Sequence, residues 1–250
     1  MWRRCVVASG ARRLSSDVTQ QALSHGRWRL VVAVAAGYVA SWLVGIGFGL
    51  ALSRTSAWRG GAAWEQSVLR WLHEHPLPFL LDRLMLVMPY FGTNLTMLPV
   101  MIVVGLVLWR RYNQPLIAIQ LLIVSIGSLS LNPTMKHLLD RPRPAMYPLR
   151  GMWTWASYPS GHIILTTALY FTISLMLREA RGWRWPFVAT VVIIALTAYS
   201  RVYLAVHWPT DLIGGALIGT TWLVGSWTAF ASYERQVARW RSLDGGRVAR

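Results

Sequence analysis

Three short polar stretches interrupt an otherwise apolar sequence. They are KHLLDRPRP at 136–144, PSGH at 159–162 and SRVYLAVHWPTD at 200–211. Lys136, Arg143 and Arg201 offer three cations to one anion. Two guanidinium groups can each grip a pair of oxygens in a fork, while an ammonium acts as a point charge. That set suits a phosphoryl group. Ser160, Gly161 and His162 stand directly before an apolar run, where the backbone N–H groups of a helix start favour an anion. Gly161 would remove a side chain where the backbone must approach the ligand. Phosphoryl transfer also needs a nucleophile and a proton donor. His207 and Asp211 are four apart, so in a helical turn both project to one side. Asp211 can accept the proton-bearing nitrogen of His207 and leave the other nitrogen free to attack. His162 is then the candidate to protonate the leaving oxygen. The three cations meet the charge that develops on the phosphoryl oxygens, and the scheme requires no metal.

Each stretch taken alone has an ordinary structural role. Arg and Lys at helix ends snorkel to headgroups, Pro-Ser-Gly commonly starts a helix with Ser as N-cap, and a lone His at a helix end is usually structural. Asp211 is harder to explain this way, because an acid beside lipid is costly and normally has a partner.

These residues must be held by membrane elements. Of 250 residues, 54% are hydrophobic and only 14% charged, well below the roughly 25% charged residues of a soluble domain. The apolar residues form six runs: Leu30–Leu52, Phe79–Pro89 continued by Leu95–Trp109, Pro115 to about Leu131 or beyond, Ile163–Leu177, Pro186–Leu204 and Leu212–Phe230. Several approach the ~20 residues needed to cross hydrocarbon, where backbone groups must bond internally and helices result. Pro89, Gly92 and Pro99 are expected to bend or interrupt the second run. The expected fold is all-α: six transmembrane helices, with a short amphipathic helix at the interface, within residues 60–75, between the first and second. His73 and His75 on that short helix have no acidic or Cys partner at metal-ligand spacing and read as solvated.

The formal net charge is +16, and the basic residues are 24 Arg and one Lys. Most Arg residues flank the apolar runs, which points to membrane lipid and away from nucleic acid. A six-helix count puts both termini on one side, together with Arg110, Arg111, Arg178, Arg181, Arg184 and the tail arginines. The positive-inside rule makes that side cytoplasmic, although Arg54, Arg59 and Arg70 fall in the first outer loop. The organisation expected is a cytoplasmic Arg-rich segment at 1–29, a membrane domain at 30–231 and a cytoplasmic basic tail at 232–250. The loops 53–78, 132–162 and 201–211 then face outward, and the last two hold or adjoin all three polar stretches. The first sixteen residues are Arg- and Ser-rich without an acid, as in an organelle transit peptide. A cleaved secretory signal fits less well, because the polar lead-in is long and the following run is nearly of spanning length. The single Cys5 allows no intrachain disulfide, and fifteen Trp suit interfacial belts.

Lys136-x6-Arg143-Pro144, Pro159-Ser160-Gly161-His162 and Ser200-Arg201-x5-His207-x3-Asp211 together resemble the three-part signature of the type-2 phosphatidic acid phosphatase superfamily, in order and separation. The motifs cover 136–211, and the helix layout extends the likeness over about 30–230. The resemblance implies a membrane lipid phosphatase with His207 as nucleophile, Asp211 as its partner and His162 as general acid. Lys136, Arg143, Ser160, Gly161 and Arg201 would bind the substrate phosphate, without cofactor or metal. It suggests as substrate undecaprenyl pyrophosphate, phosphatidylglycerol phosphate or phosphatidic acid, in a bacterial inner membrane with the site facing the exterior. A lipid phosphotransferase of the same family is one alternative, and a non-enzymatic transporter with an anion vestibule is another. The soluble vanadate haloperoxidases use a similar anion site, but the apolar runs count against them. Arg141, beside the matching Arg143, is left open between substrate and Asp140. The oligomeric state is not legible.

Overall fold

The computed structural model describes the backbone of residues 2–151 and 154–248. Its side chains are described over 24–239, apart from those of residues 94, 112, 152 and 153. The side chains of the first transit-like residues, of the last tail arginines and of Trp153 lie outside the described residues. Among the described residues every regular element is helical. The chain divides into two compact units, residues 37–224 and residues 1–36 with 225–250.

Helix α1 (Trp2–Ser53) has residues in both units and ends at a short turn, α2 (Ala57–Gly60), followed by α3 (Ala63–Glu74) and α4 (Phe79–Val87). A 3-10 turn at Met88–Gly92 leads into α5 (Asn94–Tyr112) and α6 (Pro115–Leu139). Then come α7 (Gly161–Arg181), α8 (Trp185–Tyr203) and α9 (Pro209–Val248). Among the described residues, five stretches are long and apolar enough to cross a bilayer: Ser24–Ser53, Pro115–Leu139, Gly161–Arg181, Trp185–Tyr203 and Pro209–Arg239. The pair Phe79–Gly92 and Leu95–Arg111, bent by 50°, makes a sixth if it is one broken span. Leu80, Val103 and Val188 on these helices are among many large apolar side chains that stay exposed. A water-soluble protein would bury such side chains, whereas lipid solvates them.

The break in the second run lies at Met88–Gly92. Pro99, expected to bend or interrupt that run, sits inside a continuous α5. The freed backbone is satisfied locally. The Thr96 hydroxyl donates to Tyr90 O and Thr93 O, and the Tyr170 hydroxyl donates to Phe91 O at 3.0 Å. Side chains from neighbouring turns thus replace the missing helical bonds, which is what makes a broken segment tolerable at membrane depth.

The helices that carry the polar stretches are packed by polar anchors and small residues. Tyr38 of α1 shares a 2.9 Å hydrogen bond with Ser130 of α6, and the Tyr158 hydroxyl donates to Gly45 O at 2.6 Å. Trp222 of α9 donates to Val124 O of α6 at 3.0 Å. A Cβ on Gly215 would lie 2.7 Å from Ser160 O, so the glycine lets α9 lie directly against the start of α7. The short helix α3 exposes Trp64, Val68 and Trp71 but buries Leu69 and Leu72 against Val202, Ala205 and Trp208. Removing each leucine from water contributes about 1.5–3 kcal/mol, enough to hold a three-turn helix that would not persist alone. In the smaller unit, Arg29, Leu30 and Ala33 line an open groove of about 540 Å³ with Tyr233, Arg235 and Arg239.

Candidate active site

Lys136 stands in the last turn of α6, which ends where Asp140 adopts a left-handed conformation (φ 42°) and returns its N–H to Lys136 O. The chain then runs through Arg141–Pro144 without regular structure. Ser157 N donates to Arg141 O at 2.8 Å, and Ser157 Oγ to Pro142 O at 3.0 Å, so the chain entering the PSGH turn lies beside the first polar stretch. That turn, with a cis Tyr158–Pro159 peptide, leads into α7. Ser160 N donates to Asp211 O at 3.1 Å, which joins the second stretch to the third. All three polar stretches therefore meet at one place.

His207 sits in the turn between α8 and α9, and Asp211 in the first turn of α9. His207 is not in the same helix as Asp211, yet its Nδ1 lies 3.3 Å from Asp211 Oδ2. The Trp208 N–H also donates to Oδ2, at 2.9 Å. The carboxylate thus caps the helix and addresses the imidazole with the same oxygen, which leaves His207 Nε2 as the ring atom turned away from the acid. His207 is 2% exposed and Asp211 0%. Burial, reinforced by Arg143, Lys136 and Arg201, holds the His207 imidazole well below its usual pKa, so it stays neutral at pH 7.

The cations are arranged unevenly. Lys136 Nζ donates to Ala156 O at 2.5 Å and to Ser157 O at 3.2 Å. Arg143 donates through Nε to Thr154 O, through Nη2 to Thr154 Oγ1 and through Nη1 to Val206 O. Burial lowers the Arg143 guanidinium to about 10, so it remains cationic at pH 7. Arg201 is fully buried in the last turn of α8. His162, at the start of α7, senses the charges of Arg201, His207, Lys136 and Arg143. Its Nε2 and the Ser160 hydroxyl are buried and have no hydrogen-bond partner among the described residues.

Several expectations acquire physical content here. Ser160 is the N-cap residue of α7, but its hydroxyl makes no capping bond, so the ordinary structural role for this serine does not account for it. Its backbone N–H is spent on Asp211 O, leaving Gly161 and His162 to present the first-turn N–H groups that have no acceptor within a helix. Gly161 has a packing reason: a Cβ there would lie 2.5 Å from Asn132 Cγ of α6. Arg141 makes neither of the contacts left open for it. Its five N–H donors go to Trp58 O (3.1 Å), Thr210 Oγ1 (2.7 Å), Asp211 Oδ1 (2.6 Å), Ala57 O (2.8 Å) and Glu65 Oε2 (3.5 Å). Its guanidinium also lies 5.6 Å from the Trp58 ring and 5.7 Å from the Trp208 ring. A guanidinium has five donors, so none remains for Asp140 or for a substrate.

Glu65 was missed by sequence reasoning. It falls on the polar side of an amphipathic pattern, yet it is 0% exposed. The one available signal was its place three residues after Ala62, the N3 position where an acid turns back to the helix start. Its Oε2 accepts the Ala62 N–H at 2.8 Å.

Comparison with known proteins shows the family. Residues 116–235 match the PAP2 superfamily. An undecaprenyl-diphosphatase from Sulfolobus acidocaldarius is 31% identical over 159 residues, which is 62% of this chain and 70% of the relative. The chain belongs to the PAP2 superfamily. A phosphatidylglycerophosphatase B from Bacillus subtilis is 28% identical over 144 residues, 56% of this chain and 70% of that protein. Among solved structures, the transmembrane PAP2-type phosphatidylglycerolphosphate phosphatase from Bacillus subtilis superposes with a TM-score of 0.66 at 23% identity. The match covers 79% of this chain and 96% of that one, and it establishes the shared fold of this PAP2 chain.

Proposed function

We propose that this PAP2 protein is an integral membrane phosphatase that hydrolyses the phosphate monoester or pyrophosphate of a lipid through a phosphohistidine intermediate. The observation that carries the reading is the buried His207 held by Asp211, with Lys136, Arg143 and Arg201 close enough to act on its charge. His207 Nε2 attacks the phosphorus of the terminal phosphoryl group, and a P–N bond replaces the bond to the leaving oxygen. His162 gives a proton to that oxygen. Asp211 stabilises the positive charge that the phosphorylated imidazole acquires. A water molecule then attacks the phosphoryl group while His162 takes its proton, inorganic phosphate leaves, and His207 returns to its neutral form. Lys136, Arg143, Arg201, the Ser160 hydroxyl and the Gly161 backbone bind the equatorial oxygens.

The position of the site at the helix ends supports a lipid substrate. Helix ends set the cations at headgroup depth, so the phosphate can reach them while an apolar tail remains in lipid. The names of the relatives favour a polyprenyl pyrophosphate or a glycerophospholipid phosphate. The positive-inside pattern favours an outward site with both termini cytoplasmic, and α3 lying at the outer interface. The division into a basic N-terminal segment at 1–29, a membrane domain at 30–231 and a basic tail at 232–250 belongs to the same reading.

The test is phosphate release in detergent with a chelator present. Undecaprenyl pyrophosphate, phosphatidylglycerol phosphate and phosphatidic acid would be offered to the wild type and to His207→Ala. Release by the wild type alone is the expected result, and the relative rates rank the lipids. No release from any of them by folded protein would move the reading to a phosphotransferase that needs a lipid acceptor.

A further inference from the structure

The phosphatase mechanism uses Asp211 but leaves unexplained why a fully buried arginine and a second fully buried carboxylate stand behind it. Glu65 and Arg141 are both 0% exposed. Charges are removed from water this completely at a cost of several kcal/mol per ion unless geometry and further hydrogen bonds compensate. Here they do. Glu65 Oε1 accepts the Thr210 N–H at 3.0 Å and the Thr210 hydroxyl at 2.7 Å. Glu65 Oε2 accepts the Ala62 N–H and one Arg141 donor. Arg141 Nη1 then bridges Thr210 Oγ1 and Asp211 Oδ1, which turns Asp211 Oδ2 toward His207. The path from α3 to the nucleophile is continuous: Glu65, Arg141, Asp211, His207.

We propose that Glu65 and Arg141 are positioning residues for the His207–Asp211 pair, and that α3 completes the active site by delivering Glu65 to it. The inference rests on the assignment of His207 as nucleophile and Asp211 as its partner. Three physical arguments support it. First, Arg141 holds Asp211 Oδ1, so the carboxylate cannot rotate and His207 meets one fixed acceptor. Second, one guanidinium faces two carboxylates. Glu65 draws part of the Arg141 charge, so Asp211 keeps enough negative charge to stabilise the phosphorylated imidazole. Third, Glu65 binds both the N–H and the hydroxyl of Thr210, the residue before Asp211, and so fixes the first turn of α9 on which the acid stands. All five Arg141 donors are committed to protein acceptors.

The test is a double-mutant cycle on turnover with a lipid phosphate in detergent. It uses Glu65→Gln, Asp211→Asn and the double variant, with His207→Ala as the control for the underlying mechanism. Glu65→Gln should lower kcat by about 10- to 100-fold, the size of effect that loss of an outer-shell hydrogen-bond partner has in metal sites, with KM within about threefold. In the Asp211→Asn background the same change should cost less than about threefold, because Glu65 acts through Asp211. An equal loss in both backgrounds would mark Glu65 as merely structural and overturn the proposal, as would wild-type kcat in Glu65→Gln. Should Glu65→Gln not fold, Arg141→Lys replaces it in the same cycle, since a point charge cannot bridge both carboxylates; the same pair of results decides. Undiminished turnover by His207→Ala would instead overturn the nucleophile assignment, so the two failures are distinguishable.

Discussion

Two arginine–aspartate pairs flank the same loop, and they do different things. Arg141 reaches Asp211 Oδ1 at 2.6 Å with both side chains fully buried. Arg150 reaches Asp82 in a bidentate grip at 2.9 and 2.7 Å, with side chains 42% and 22% exposed. By distance alone they would rank alike. Burial separates them. Water screens the Arg150–Asp82 pair, so it ties the loop after Pro144 to α4 with little net energy. The Arg141–Asp211 pair is dry, supported by Glu65 and Thr210, and connected to His207. The same two residue types make a surface tether in one place and, in the proposed mechanism, the backing of the carboxylate beside the nucleophile in the other.

That contrast can be broken or sharpened by substitution. The largest expected effect is His207→Ala, which should lower kcat by at least about 10,000-fold with the fold intact, as for loss of a nucleophile; single-turnover phosphate release checks it. Asp211→Asn should lower kcat by about 100- to 10,000-fold through loss of imidazole orientation, with substrate binding largely retained. An equal loss of binding would mark Asp211 as structural. Arg141→Ala should destabilise the protein by about 3–5 kcal/mol, because two buried carboxylates lose their partner. Thermal unfolding in detergent reads this, and an unchanged midpoint would contradict the burial argument. Arg150→Ala, the surface counterpart, should cost no more than about 1 kcal/mol and leave kcat unchanged.

The acid limb of the kcat/KM profile sharpens the same point. His207 must be neutral to attack, and its pKa is held well below the usual value by burial and by Arg143, Lys136 and Arg201. Activity should therefore persist as pH falls through ~6.5, the unperturbed histidine value, and be lost only at lower pH. A limb at or above the unperturbed value would mean that His207 is solvated in the working enzyme.

Much of the membrane architecture was legible in the sequence because hydrocarbon imposes a length and a composition. The apolar runs mark where spans lie, although the helices extend beyond them: α6 continues to Leu139 and α7 begins at Gly161. Pro99 does not interrupt its helix, whereas Pro89 sits at the break. The three stretches that carry Lys136, Arg143, Ser160, Gly161, His162, Arg201, His207 and Asp211 stood out in the sequence because reactive residue types recur at tight spacing on helix ends, and the structure brings those stretches together. Glu65 was not. It lies 76 positions from Arg141 and 145 from Thr210, and its burial is decided by where α3 docks, which one sequence does not encode as a local pattern. Arg141 could be seen as an anomaly, but its role depends on Ala57, Trp58 and Glu65, which arrive only with the tertiary fold.

The most direct test of the central claim is to look for the phosphoryl group on His207. Enzyme turning over a lipid phosphate would be quenched in alkali, where phosphohistidine survives, then digested and examined by mass spectrometry. A phosphate on the peptide carrying His207, absent in His207→Ala and increased when the water-attack step is slowed, is the predicted result. Steady turnover without any phosphorylated histidine, together with phosphate release by His207→Ala, would contradict the account.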